Sequence, residues 1–208
     1  MARVRKRKPK EKYRRVVKKK RISKQFVWTL ILAGLMIASV FGIMFSGYAD
    51  GGEKKHYGDF EFAQYKNGWK VEINDQVYAF NYHPSDVEEL AIDKQGVEAL
   101  RSAKVVYLTF DPNTKSVDVF ELMRFQLGSF FDEIQIFPIS GVIEEHEDYV
   151  QPIITCQNAT DMVPVIELVE ANMTATKWND NCLVLEINKL DAGAMFERVA
   201  YAVLGVIE

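Results

Sequence analysis

A run of 25 uncharged residues separates Lys24 from Asp50 and limits the forms that this chain can take. Within that run, residues 26–48 are rich in Leu, Ile, Val, Phe and Met. A helix rises about 1.5 Å per residue, so this length reaches across a hydrocarbon core about 30 Å thick. The sequence therefore predicts a transmembrane helix at residues 26–48, with the lipid bilayer as its surroundings.

The charges on the two sides of the run have opposite signs. Residues 1–24 contain 14 Lys and Arg and one acid, Glu11, for a net charge of +13. The remainder contains 12 basic and 28 acidic residues, a net charge of −16, so the whole chain carries −3. Because Lys and Arg beside a span are retained in the cytoplasm, we expect a cytoplasmic N-terminus and an extracytoplasmic C-terminal domain. This is the type II, single-pass topology of a signal-anchor protein of the cell membrane.

These features divide the chain into four parts. They are a basic cytoplasmic tail (1–25), a transmembrane helix (26–48), a linker (49–56) and an extracytoplasmic domain (57–208). We expect residues 3–24 to contact anionic lipid headgroups. A nucleic acid is not the expected partner, because Tyr13 is the only aromatic residue in this basic stretch and stacking needs more.

The apolar run leaves two questions open. Gly47 and Ala49 have the spacing of a signal-peptidase site, but a signal peptide's apolar core is only about 7 to 15 residues long, which favours an anchor. Gly34, Ala38 and Gly42 recur every four residues on one helical face. Small residues at this spacing let helices approach closely, which is compatible with self-association or with a partner in the membrane.

From Tyr57 onward the pattern is that of an α/β domain. Alternating segments at 60–65, 69–73 and 76–82 are separated by turn residues and predict a three-stranded antiparallel meander. Helical patterns follow at 95–103, 116–131, 161–170 and 191–204, and strand patterns at 105–110, 135–139, 153–156, 175–178 and 182–187. We predict a single domain in which the meander leads into a mixed sheet covered by helices, with α+β as the alternative class.

The two cysteines, Cys156 and Cys182, both lie in the part predicted to be outside the cytoplasm, where disulfides persist. We expect them to form a structural disulfide, with two independent thiols as the alternative. A redox-active pair is disfavoured because the sequence has no CxxC motif. The same compartment makes Asn158-Ala159-Thr160 and Asn172-Met173-Thr174 acceptors for N-glycosylation, although both Asn residues also suit turns.

Few residues indicate catalysis. The cluster Glu144 to Asp148 offers Glu144, His146 and Asp148 as metal ligands, but a run of polar residues is more often a solvated loop and HExxH spacing is absent. Asp111 follows the strand VVYLTF, at the end of a sheet where ligands tend to bind, yet Asp-Pro-Asn is also an ordinary turn. GxSxG, Walker A and GxGxxG motifs are also absent, so we expect no cofactor.

The sequence favours a non-enzymatic role. We expect a membrane-anchored extracytoplasmic domain that serves as a binding, accessory or assembly module, with a protein partner or a second copy as its target. The alternative is an extracytoplasmic metal-assisted hydrolase that uses Asp111 and the Glu144 to Asp148 cluster. The two differ in whether these side chains meet in one pocket.

Overall fold

The structure is a computed structural model, and it describes residues 24–46 and 52–208. Helix α1 (Lys24–Ser46) carries large apolar side chains that are exposed at Val27, Trp28, Leu30, Ile31, Leu32, Leu35, Met36 and Ile37. In the described part of the chain, no helix combines the length and the apolar content that crossing a bilayer requires. Most of the basic tail predicted to contact lipid, the last residues of the predicted span and Gly47 and Ala49 lie outside the described residues.

Residues 52–208 form a mixed α/β domain that begins with a four-stranded antiparallel sheet. Its strands follow the order β1-β2-β3-β4: β1 (Lys54–Tyr57), β2 (Phe60–Tyr65), β3 (Gly68–Ile73) and β4 (Gln76–Phe80). The meander is one strand longer than predicted, because Lys54–Tyr57 pairs with β2 through a turn in which Gly58 has φ +56°. Three residues of the predicted linker, 54–56, therefore belong to the sheet.

The second sheet has five strands in the order β6-β5-β7-β9-β8. They are β5 (Val105–Phe110), β6 (Phe137–Ser140), β7 (Val165–Glu170), β8 (Ala175–Asn179) and β9 (Cys182–Ile187), and only β8 is antiparallel to its neighbour. The helices of the domain are α2 (Pro84–Val87), α3 (Lys94–Ser102), α4 (Val117–Glu133) and α5 (Ala192–Leu204). The predicted class, a mixed sheet covered by helices and preceded by an antiparallel sheet, is confirmed.

Two predicted elements are wrong. Residues 161–170 were predicted as a helix, but Val165–Glu170 is the central strand β7, paired with β5 on one side and β9 on the other. Pro164 disfavours helix in the residue before it, and β-branched Val165, Ile166 and Val169 suit a strand. The predicted strand at 153–156 is instead an irregular segment that ends in a 3-10 turn, Cys156–Asn158.

One hydrophobic core joins the antiparallel sheet, the helices and the mixed sheet. Phe62 and Phe80 of the antiparallel sheet contact the ring of Tyr201 on α5, at centroid distances of 6.0 and 4.2 Å. Leu108, Leu168 and Leu185 bring three strands of the mixed sheet into the same core. Helix α5 is therefore buried on nearly every side, which is unusual for a helix that carries Glu197 and Arg198.

Glu197 and Tyr201 of α5 are hydrogen-bonded to a neighbouring segment, whereas Nη1 of the buried Arg198 has no partner among the described residues. The Glu197 carboxylate, only 1% exposed, accepts from the backbone N–H of Asn81 and of Tyr82, both at 2.7 Å, and from the Asn81 side chain at 2.8 Å. Burial raises the pKa of Glu197, and these donors act in the opposite direction. The Tyr201 hydroxyl donates to the Tyr82 carbonyl at 2.7 Å. The end of β4 is thereby held against α5.

Glu197→Ala should lower the free energy of unfolding by about 3 kcal/mol, because it leaves buried backbone donors without an acceptor. Glu98→Ala is the matched control, since Glu98 is an exposed residue of α3, and it should change stability by less than about 0.5 kcal/mol. Urea denaturation of the full-length chain in detergent measures both. Equal effects of the two substitutions would contradict the anchoring role of Glu197.

Candidate functional site

The two cysteines lie on the face of the mixed sheet that points away from α4 and α5, here called the outer face. Residues 154–159 cover this face through Ile154, Cys156 and Ala159, and a hydrogen bond from Thr109 Oγ1 to the Ile154 carbonyl at 2.8 Å holds them. Cys156, in the 3-10 turn, meets Cys182, the first residue of β9, at disulfide distance, with a Cα–Cα separation of 5.3 Å. The predicted proximity is confirmed, but Cys156 reaches Cys182 from a covering segment and not from a neighbouring strand.

A carboxylate adjoins this cysteine pair. Glu167 on β7 places Oε2 3.2 Å from Cys156 Sγ, and burial raises its pKa. In the described part of the chain, Cys156, Glu167 and Cys182 are the only three metal-ligating side chains whose ligand atoms lie within 4.8 Å of one another. Because the two sulfurs are at bonding distance to each other, this arrangement corresponds to a disulfide bond with a carboxylate beside it.

At the carboxyl end of the mixed sheet, Asp111 serves as a turn residue. Its Oδ1 accepts the Asn113 backbone N–H at 2.8 Å, and the Asn113 side chain donates to Glu144. Glu170, at the end of β7, accepts from the Ser116 hydroxyl at 2.7 Å and from the Thr114 hydroxyl, and these bonds lower its pKa. An open cleft of ≈ 650 Å³ lies beside these groups. The carboxylates here hold the loop before α4.

Asp148 is the residue of the acidic cluster that approaches His146, with Oδ2 3.7 Å from Nδ1, and no third ligand joins them among the described residues. Asp148 donates its backbone N–H to His146 Nδ1 at 3.2 Å, and the imidazole packs edge-on against Tyr149 with ring centroids 5.6 Å apart. Glu144 instead contacts Asn113, as described above. The structure thus brings Asp111 and Glu144 together through Asn113 without placing His146 and Asp148 in a shared three-ligand set.

His83 is the buried imidazole of the domain. It is 6% exposed, and the rings of Trp69, Phe62 and Tyr57 surround it at centroid distances of 4.9, 5.2 and 6.1 Å. Its Nδ1 lies 2.8 Å from Ser85 Oγ at the start of α2, and its Nε2 has no hydrogen-bond partner among the described residues. Burial lowers the pKa of His83, because the charged form would lose its hydration, although Asp86 opposes the shift.

Both glycan-acceptor Asn residues are exposed. Asn158 Oδ1 accepts the Thr155 backbone N–H at 2.8 Å and so caps the 3-10 turn. Asn172 follows β7, and its carbonyl accepts from the Asn188 side chain at 2.9 Å. Both positions therefore also serve turns, as the sequence indicated.

An apolar cleft lies between strand β4 and helix α4 and is here called the β4–α4 cleft. Its volume is ≈ 210 Å³, and its walls include Ala79 and Phe80 of β4, Phe125 and Phe130 of α4, and Phe196 of α5. Phe125 is 70% exposed. A second cleft of ≈ 580 Å³ continues past Gln76 and shares Tyr78 and Glu133 with the first.

Strand β4 is an outer strand of its sheet, so one of its edges has no neighbouring strand. Asn74 and Asp75, with φ +52° and +65°, form a two-residue turn that makes Ile73 and Gln76 a hydrogen-bonded pair. The alternation of an antiparallel ladder then directs the backbone groups of Val77 and Ala79 away from β3. We call these two residues the open edge. The next outward N–H, that of Asn81, is taken by Glu197.

This cleft was not predicted. The helix predicted at 116–131 agrees with α4, whose buried residues include Phe120, Met123 and Leu127, but the exposed apolar residues Leu122 and Phe125 were not considered. The available signal was a pair of large apolar side chains on the exposed face of an otherwise amphipathic helix, together with the uncharged strand QVYAF.

Comparisons with protein family models, with curated proteins and with solved structures found no match to this chain.

The double substitution Cys156→Ser and Cys182→Ser should lower the free energy of unfolding by roughly 3.5 kcal/mol, because it frees a loop closed over a separation of 26 residues. Amide exchange should accelerate most in residues 154–159, which the pair fixes to the outer face. Reduction of the wild-type chain is the control and should reproduce both effects. A reducing agent that changes neither mass nor stability would contradict the pairing.

His83 should make the fold less stable at acid pH. Its folded-state pKa lies below that of the unfolded chain, about 6.5, so the unfolded state binds the proton first. Stability is then complete above the unfolded pKa and falls as pH drops toward the folded pKa. His83→Asn keeps an acceptor for the α2 N-terminus but cannot titrate, so its stability should depend less on pH between about 7 and 5. Parallel pH profiles for the two proteins would refute this.

Proposed function

We propose that this protein is a single-pass, type II membrane-anchored module whose extracytoplasmic domain binds a protein partner. The anchor is residues 26–48, the N-terminus is cytoplasmic and the domain lies outside the cytoplasm. The support for the anchor is the sequence, namely the uncharged run and the +13 tail before it. The exposed apolar side chains of α1 between Val27 and Ile37 agree with insertion into lipid.

The observation that carries the binding role is the β4–α4 cleft beside the open edge. Here Phe125, which lines the cleft, is 70% exposed, and Val77 of the open edge is 58% exposed. Exposed large apolar side chains beside a cleft are typical of an interaction site. At the carboxyl end of the mixed sheet, by contrast, Asp111 and Glu170 accept hydrogen bonds that hold loops, which is a structural task.

The Cys156–Cys182 pair fits the same location. We propose that it is oxidised in the extracytoplasmic compartment, where disulfides persist. Asn158 and Asn172 are exposed there and are proposed acceptors in a cell that performs N-glycosylation. Gly34, Ala38 and Gly42 are proposed to allow close helix association within the membrane.

The topology is testable in intact cells that express the full chain with an epitope tag at each end. The chain should stay in the membrane pellet after alkaline carbonate extraction. External protease should remove the C-terminal tag and leave the N-terminal tag protected. Substitution of nine basic residues of the tail by Gln should weaken this orientation, whereas Gln in place of the nine Lys in residues 52–208 should not. A carbonate-soluble chain would overturn the anchor, and the reverse protection pattern would overturn the orientation.

The binding role is tested by gentle solubilisation followed by chemical cross-linking. The full chain should give a defined cross-linked species that Phe125→Asp removes and that Phe137→Asp, at another exposed apolar site, does not. If neither substitution changes the cross-linked species, or if none forms, the β4–α4 cleft is not the binding site.

A further inference from the structure

The four edge strands of the described domain differ in how they are protected against pairing with another chain. Edge strands normally carry Lys, Pro or other devices that discourage added strands. Strand β1 contains Lys54 and Lys55, β6 contains Pro138, and β8 contains Lys177. Strand β4, with the sequence QVYAF, has no charged residue and no proline. Among these edges, only β4 is left open to pairing.

We propose that the open edge of β4 binds an extended, basic segment of another protein, which adds to the antiparallel sheet as a fifth strand. This inference rests on the proposed binding function and specifies the class of its partner. The outward N–H and C=O groups of Val77 and Ala79 supply the hydrogen bonds of strand addition. The segment occupies the interval between β4 and α4, and one of its apolar side chains fills the β4–α4 cleft against Phe130 and Phe196.

The extent of the added strand follows from its boundaries. At one end, Glu197 accepts the Asn81 backbone N–H, so pairing cannot continue past Phe80. At the other end, the turn at Asn74 and Asp75 terminates β4. Two outward residues lie between these limits, and each offers one donor and one acceptor. The partner segment therefore needs only a short extended stretch.

Charge favours a basic partner over a second copy. Glu133 of α4 lines both clefts beside β4, and its carboxylate accepts from the Gln76 side chain at 3.1 Å. Arg101 and Lys104 line only the second cleft, so Glu133 is the charged residue of the β4–α4 cleft itself. It is exposed and offers a contact for a Lys or Arg next to the added strand. The part of the chain after residue 49 carries a net charge of −16, from 12 basic and 28 acidic residues. Two such domains repel each other, whereas a basic segment is attracted.

The test uses the full-length chain in nanodiscs and a short acetylated, amidated peptide of alternating lysine and valine, titrated to about millimolar concentration. Binding should be saturable, and amide exchange at Val77 and Ala79 should slow by about tenfold or more at saturation. The same peptide with glutamate in place of lysine should not bind. Equal binding of both peptides, or protection elsewhere than at the open edge, would overturn the proposal.

Ala79→Pro provides the decisive variant, because it removes an outward N–H that the β3–β4 ladder does not use. It should weaken peptide binding by about tenfold. His56→Pro is the matched control, since its N–H points outward from the opposite edge strand β1, and it should retain wild-type binding. Should Ala79→Pro disturb the fold, a peptide N-methylated at alternate backbone positions tests the same bonds on wild-type protein and should fail to bind.

Other outcomes separate this inference from the proposed function. Protection of Val77 and Ala79 that rises with protein concentration, without peptide, would assign the edge to a second copy. A cross-linked species that survives Ala79→Pro but not Phe125→Asp would leave the binding function standing and overturn strand addition. Loss of every cross-linked species from the wild-type chain would overturn the binding function itself.

Discussion

The arrangement of this domain depends on the contact between the Glu197 carboxylate and the end of strand β4. Helix α5 is buried on almost every side, so its polar side chains depend on hydrogen-bond partners inside the protein. Glu197 meets this requirement with two backbone N–H groups and one side-chain amide, and Tyr201 and Arg198 donate to the carbonyls of Tyr82 and Leu90. These bonds fix the antiparallel sheet to the helix that also contacts the mixed sheet through the common core.

The same contact determines where the domain is open. Because Phe196 adjoins Glu197 on α5, the bonds that hold β4 also place an aromatic wall beside it, and α4, which packs on α5, supplies Phe125 and Phe130. Glu197 closes the outward edge of β4 at Asn81 and leaves Val77 and Ala79 open. The buried polar anchor and the exposed apolar cleft are thus two results of one packing arrangement.

Local patterns in the sequence predicted most of the elements but not their partners. The meander was predictable because Asn74-Asp75 permits the two positive φ values of a hairpin turn, and α4 because its apolar residues recur at helical spacing. Strand β7 was not predictable, since its sequence VIELVE is apolar enough for either a buried helix or a buried strand. Only its pairing with β5 and β9 determines that it is a strand. Asn81 and Glu197 are separated by 116 residues, and no local pattern relates them.

The proposed membrane anchor would give a physical reason for so short a proposed binding edge. Two outward residues provide about four hydrogen bonds, each contributing about 1 kcal/mol net, so their total of about 4 kcal/mol corresponds to millimolar affinity. One apolar side chain in the β4–α4 cleft adds about 2 kcal/mol. Such a contact is transient between proteins that diffuse freely. For a partner held at the same membrane, the effective concentration reaches the millimolar range, and this weak contact is then sufficient for stable association. The association is lost when the two proteins separate.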